Sequence, residues 1–163
     1  SNIPTYNVGP IFVYGAVAAV IFSILVIFVL KVAYAPFVLK SAALFLFIRS
    51  IFVSLTHISP YPTRLTLSET FLSSERLAET FFTGDDLFFS GHVGLTFLMA
   101  LLVWDIPVLR YIYLAISSLF TVVVLLGHLH YSIDVFAAYF ITYTIFIMAT
   151  RLFKKDYART LSA

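Results

Sequence analysis

Histidine and aspartate occur in two stretches of this 163-residue chain at spacings that suit acid–base and nucleophilic chemistry. One stretch reads Gly127-His128-Leu129-His130-Tyr131-Ser132-Ile133-Asp134. His130 and Asp134 are four apart, so on a helix they would share a face, and the carboxylate could reach an imidazole nitrogen. A carboxylate so placed fixes the tautomer and raises the basicity of the other ring nitrogen. The second stretch, Asp86-Leu87-Phe88-Phe89-Ser90-Gly91-His92, supplies another histidine. Such a set could attack phosphorus, with His130 as nucleophile held by Asp134 and His92 as the acid that protonates a departing alkoxide. The scheme needs no metal and no cofactor. His92, His128 and His130 could instead bind a metal, a reading the spacing leaves open.

The elements that must position these groups are membrane spans. Apolar residues make up 61% of the chain and charged ones 11%, with a mean hydropathy of +1.02. A soluble domain carries roughly a quarter charged residues, so a soluble monomer is excluded. Ten Lys plus Arg are too few for a nucleic-acid binder, and the chain has no cysteine for disulfides or thiolate metal sites. Apolar runs and Pro or Gly punctuation predict five spans at about 11–30, 37–58, 87–104, 108–127 and 131–150. Residues 59–86 read as a polar connector with a short amphipathic helix near 73–81, and 151–163 as a basic tail. The fold class expected is all-α, a single polytopic membrane helix bundle.

Seven of the ten basic residues, Lys31, Lys40, Arg110, Arg151, Lys154, Lys155 and Arg159, fall on one side of this arrangement. The positive-inside bias puts that side, with the C-terminus, in the cytoplasm and the N-terminus outside. Glu69, Glu75, Glu79, Asp85 and Asp86 then lie in the outward-facing connector, and all four histidines sit at outward ends of spans. His92 and His130 come to the same depth because the fourth span runs from inside to outside between them. His57 reads as an interfacial anchor, whereas Arg49 lies deep in a span and calls for an acid or a lipid phosphate as partner. The 18 Phe and 10 Tyr read as lipid-facing surface and interfacial belt.

The stretch Ser90-Gly91-His92 with Asp86 six residues earlier, followed by His128-Leu129-His130-Tyr131-Ser132-Ile133-Asp134-Val135 and Ala138-Tyr139-Phe140-Ile141-Thr142, resembles the sphingomyelin synthase family. That family is a branch of the type 2 phosphatidic acid phosphatase superfamily. Arg49 with Thr56 and the Pro60-Tyr61-Pro62 turn matches more loosely, and the likeness spans roughly 44–153. It implies a His-His-Asp triad at the exoplasmic or periplasmic face, here His92, His130 and Asp134. It also implies transfer of a phosphorylated head group from a glycerophospholipid to ceramide, with release of diacylglycerol, or hydrolysis in some relatives. The family core has six spans, so a further helix is expected ahead of residue 1. Val93 stands where Thr is usual and Leu129 where an acid is common.

The phosphatase branch normally carries a Lys with an Arg-Pro pair, and a Ser-Arg pair upstream of the second histidine. Neither occurs here, and no Arg lies between Arg110 and Arg151. Those cations neutralise a dianionic monoester, so their absence favours a diester. Asp86, assisted by Glu79 and the Tyr131 ring, is expected to hold a cationic choline or ethanolamine head. Arg49, Ser90, Gly91 and His128 complete the expected substrate-binding set. The expected partners are phospholipid and diacylglycerol or ceramide-type lipids within the membrane, and no nucleic acid. The runner-up is a lipid phosphate phosphatase using the same triad. A third reading, a non-enzymatic helix bundle that binds haem or metal, predicts visible absorbance or a stoichiometric metal.

Overall fold

A computed structural model describes residues 6, 8–30, 34–56 and 88–162. The connector 59–86 with its expected helix at 73–81, His57, Glu79 and Asp86 lie outside the described residues. The described chain forms α1 (Gly9–Leu30), α2 (Ala35–Leu55), α3 (Gly91–Leu102), α4 (Pro107–Leu126), α5 (Ser132–Leu152) and α6 (Lys154–Leu161). Pro36 and Pro107 sit in the first turns of α2 and α4, where a missing N–H costs nothing and the fixed φ suits the helix.

Four of these helices, α1, α2, α4 and α5, have 20 or 21 residues apolar enough to cross a bilayer. Their outward faces are as apolar as their inward ones. On α1, Phe12, Ala16 and Ala19 are buried while Ile21, Leu25 and Phe28 are bare. A helix apolar all round is solvated by lipid rather than water. The chain is therefore a multi-pass membrane protein with an all-helical bundle fold.

The third element departs from the span expected over 87–104. Its helix covers only 12 residues, about 18 Å, which is too short to cross alone. It stops where the backbone turns. Phe89 has φ 28, Ser90 is extended at ψ 118, and Val103–Asp105 form the turn before Pro107. Non-helical backbone at membrane depth is tolerated when protein rather than lipid surrounds it. That condition is met, because Phe89, Ser90, Val93, Leu98 and Ala100 are fully buried.

Between helices bathed in lipid, burial of apolar surface gives little net drive, so close packing and hydroxyl bonds hold the bundle. Ala100, Ala138 and Ala149 are fully buried and let backbones approach. At Gly94 a Cβ would lie 2.8 Å from the Phe45 ring and 2.9 Å from Thr142 Oγ1, so α2, α3 and α5 meet at a point that only glycine fits. Ser117 Oγ donates to the Val93 carbonyl (3.0 Å) and lies 3.2 Å from Tyr139 Oη, with Thr121 Oγ1 2.9 Å from the same phenol oxygen. These bonds join α3, α4 and α5. Tyr113 Oη donates to Ser23 Oγ at 3.0 Å and ties α1 to α4.

The segment expected as a polar tail is partly helical. Through α6 it folds back on α2, where Lys40 Nζ bonds Asp156 Oδ2 at 2.5 Å, Phe37 packs on Tyr157, and Arg159 lies 3.6 Å from Asp156 Oδ1. The hydrogen bond from Lys40 holds the Asp156 carboxyl below its ordinary value of 3.8; the Lys40 and Arg159 charges add to this, while desolvation opposes it. A depressed folded-state value means that the ionised form favours docking above about pH 3.8 and that the contribution fades as pH falls through the lower folded value. The protection of the α6 amides, measured against their intrinsic exchange rate at each pH, should therefore fall on acidification below that point, and Asp156→Asn should show the lower protection at neutral pH. In the packed centre, Gly94→Ala should lower stability by about 1–3 kcal/mol through overpacking, read as a fall in thermal midpoint in detergent.

Candidate active site

The histidine-bearing stretches meet at one end of the bundle, at the starts of α3 and α5. The Ser90 N–H donates to the Asp134 carbonyl at 3.4 Å, so the residue two before His92 is clasped to the first turn of α5. His92 is the second residue of α3, beyond Ser90 at the N-cap and Gly91. It interacts electrostatically with His130 and Arg49. The structure thus brings His92, His130, Asp134, Arg49, Ser90 and Gly91 together; Asp86 lies outside the described residues.

His130 reaches Asp134 by a different route from the shared helical face expected. It precedes α5, whose N-cap is Tyr131, and its backbone folds back on α4, its amide 3.5 Å from the Val124 carbonyl. Asp134 is at the third helical position, where its Oδ2 accepts the Tyr131 amide at 3.0 Å. The same Oδ2 lies 3.7 Å from His130 Nδ1. That separation exceeds a hydrogen bond, and resting sites often tighten only around substrate. Among the described residues, buried His130 Nδ1 and Asp134 Oδ1 have no hydrogen-bond partner. A fully buried carboxylate with one free oxygen is costly in a membrane unless a proton donor meets it.

The backbone around both histidines is strained. Phe89 (φ 28) and His128 (φ 50) lie in the left-handed region, which costs a bulky residue of order 1–3 kcal/mol. Phe89 is held by edge contacts with Phe45 and Phe52 at 5.6 and 5.9 Å. His128 is buried in the turn between α4 and α5, its amide bonded to the Leu125 carbonyl at 3.2 Å. Tyr131 is half-buried beside it.

Arg49 Nε donates to the Phe89 carbonyl at 3.4 Å. Its guanidinium lies across Gly91, where a Cβ would be 3.1 Å from Nε. Glycine there lets the cation lie against the first turn of α3, whose free amides and positive dipole end favour an anion. Ser90 Oγ is fully buried at the same turn with no partner among the described residues.

Two rings absent from the sequence reading complete the surroundings of His92. Phe12 of α1 packs on its imidazole at 4.1 Å between centroids and Phe120 of α4 at 5.4 Å. Their signal is tertiary: in a chain with 18 Phe, nothing local separates these two from lipid-facing ones. Among the described residues, no three His, Asp or Glu side chains are grouped as ligands for a metal.

Residues 84–151 match the family described as PAP2 superfamily C-terminal. The matched segment contains His92, His130 and Asp134 and ends within α5. The match supports a phosphoesterase-type lipid enzyme of the type 2 phosphatidic acid phosphatase superfamily, without singling out the sphingomyelin synthase branch. No curated protein and no solved structure matches the chain.

Asp134 can be a helix cap, a partner of His130, or both, and Asp134→Asn separates these roles. The amide oxygen keeps the cap, so folding should be retained. Loss of the charge should lower turnover of a lipid phosphate ester by about 10³- to 10⁴-fold. An Asn variant as active as the parent would make Asp134 a cap alone.

Proposed function

We propose that this protein cleaves a membrane phospholipid at the phosphodiester on the diacylglycerol side and passes the head group, phosphocholine or phosphoethanolamine, to a lipid hydroxyl such as that of ceramide, or to water. In the first step His130 attacks phosphorus: an N–P bond forms, the bond to the diacylglycerol oxygen breaks, and His92 gives that oxygen its proton. In the second step His92 takes a proton from the acceptor hydroxyl, whose oxygen bonds to phosphorus as the N–P bond breaks. Asp134 holds the His130 ring and stabilises its charged form. We place the site on the exoplasmic or periplasmic face and the C-terminus in the cytoplasm, on the charge bias of the loops.

The observation that carries this reading is the charge count around the histidines. Among the described residues, the cation beside His92 is Arg49, while Lys40 and Arg110 engage Asp156 and the Trp104 carbonyl at the far end of the bundle. One guanidinium with the α3 N-terminus suits the single charge of a diester better than the double charge of a monoester. Arg49, Ser90 and Gly91 bind the phosphate oxygens in this scheme, His128 shapes the turn that presents His130, and Tyr131 with Asp86 receives the cationic head. The PAP2 superfamily match keeps monoester hydrolysis, on a phosphatidic-acid-type lipid, as the second reading.

A mass-spectrometric product assay decides between them: purified protein with phosphatidylcholine, phosphatidylethanolamine or phosphatidic acid, with and without ceramide. Diacylglycerol should form from a diester lipid, disappear in His130→Ala, and fall by about 10²- to 10⁴-fold in His92→Ala. Head-group transfer that depends on ceramide would make the protein a synthase. Release from phosphatidic acid alone would replace this reading with the phosphatase.

A further inference from the structure

A cavity of about 270 Å³ lies between α1 and α4, lined by Ile11, Gly15, Ala18, Phe22, Ile116 and Phe120, among others, all apolar. From Ile11 to Phe22 it follows α1 for about 16 Å, roughly half the thickness of a hydrocarbon core. Its upper wall is shared with the site, because Phe120 lines the cavity and its ring also packs on His92. Phe12, next to Ile11, packs on the other side of that imidazole. The side chains at the rim, Ile11 and Leu119, are half exposed to the bilayer. The cavity is thus open to lipid, free of polar groups, about one leaflet long, and set apart from the candidate acid by the Phe120 ring alone.

We propose that this groove holds one acyl chain of the glycerolipid substrate, entering sideways between α1 and α4, so that the ester oxygen leaving phosphorus is delivered beside His92. The inference rests on the lipid-cleavage reading and adds where the lipid lies. An apolar trough beside a half-buried histidine fits an alcohol product that stays in the membrane, since the Phe120 ring that walls the trough also packs on the proton donor His92. The diester's phosphate then sits above the trough, at Arg49 and the first turn of α3.

The test fills the groove. Ala18 is exposed and lines it, so Ala18→Phe adds bulk without overpacking the core; Val17→Phe, exposed on the same helix but off the groove, is the control. The ratio of kcat/KM for a long-chain diester to that for its dihexanoyl counterpart should fall about tenfold or more in Ala18→Phe and stay at the parental value in Val17→Phe. An unchanged ratio in Ala18→Phe overturns the groove. If the parent cleaves no lipid ester, the cleavage reading fails by itself, and a phospholipid with a photoreactive group on its acyl chain still decides the site. Labelling of α1 and α4 peptides should saturate at low lipid fraction and vanish in Ala18→Phe, whereas labelling that rises in proportion to lipid, as on any bare helix face, overturns the proposal. The chain has no cysteine, so Ala18→Cys gives a clean check on a rival occupant. A disulfide-linked dimer formed in high yield would show a second copy on the groove and likewise overturn it.

Discussion

The clasp between Ser90 and Asp134 sets the geometry of the functional end. A backbone amide at the last extended residue before α3 is spent on a carbonyl in the first turn of α5. In lipid an amide left unsatisfied at this depth would cost several kcal/mol, so the two helix starts are locked at one level. The rest follows from that level. α3 can be short because its start is met inside the protein. His92, two residues on, and His130, four residues before Asp134, are then drawn to the same place. The left-handed turns at Phe89 and His128 are the local strain of reaching that meeting point, offset by the rings packed around Phe89 and by the amides of His128, Leu129 and His130 folded onto the carbonyls that end α4.

Charge is sorted to the two ends of the bundle for the same reason. Ionised groups are expensive in the hydrocarbon layer unless paired or wet. At the far end Lys40 and Arg159 surround Asp156, and the Arg110 guanidinium lies 4.8 Å from the centroids of both Trp104 and Tyr111. At the site end the guanidinium of Arg49 rests across Gly91, and the charged atoms of Asp134 are shared between a backbone amide and the neighbourhood of His130. At the far end the carboxylate is matched by cations, whereas at the site end a buried carboxylate oxygen and a buried imidazole nitrogen have no hydrogen-bond partner among the described residues.

The all-helical membrane fold was legible because apolar runs of about 20 residues separated by proline and glycine admit few other readings, and α1, α2, α4 and α5 fall where those runs are. The third helix was less legible, since Leu87, Phe88 and Phe89 are as apolar as a span interior and nothing local shows that the backbone reverses at Phe89. The pairing of His130 with Asp134 was readable from a four-residue interval, yet for the wrong local reason: the interval spans a cap, not a helical turn. Arg49 stood out by its charge within an apolar run, and Gly91 opposite it makes sense only once α2 and α3 are seen side by side. Phe12 and Phe120 gave no sequence signal at all, because what distinguishes them is the ring they touch.

The two oxygens of Asp134 have different surroundings. Oδ2 is fixed by the Tyr131 amide at 3.0 Å and lies 3.7 Å from His130 Nδ1, while buried Oδ1 has no partner among the described residues. A cap alone needs one oxygen, and a serine or asparagine at an N-terminus serves as well without the desolvation of a full charge. The charge is therefore an added cost that capping does not account for. A shift of less than 1 Å in the imidazole would bring Nδ1 within hydrogen-bond range of Oδ2 without disturbing the cap. The same bond that starts α5 would then hold the carboxylate still while the imidazole moves toward it, so that one short polar turn serves both the helix start and the histidine.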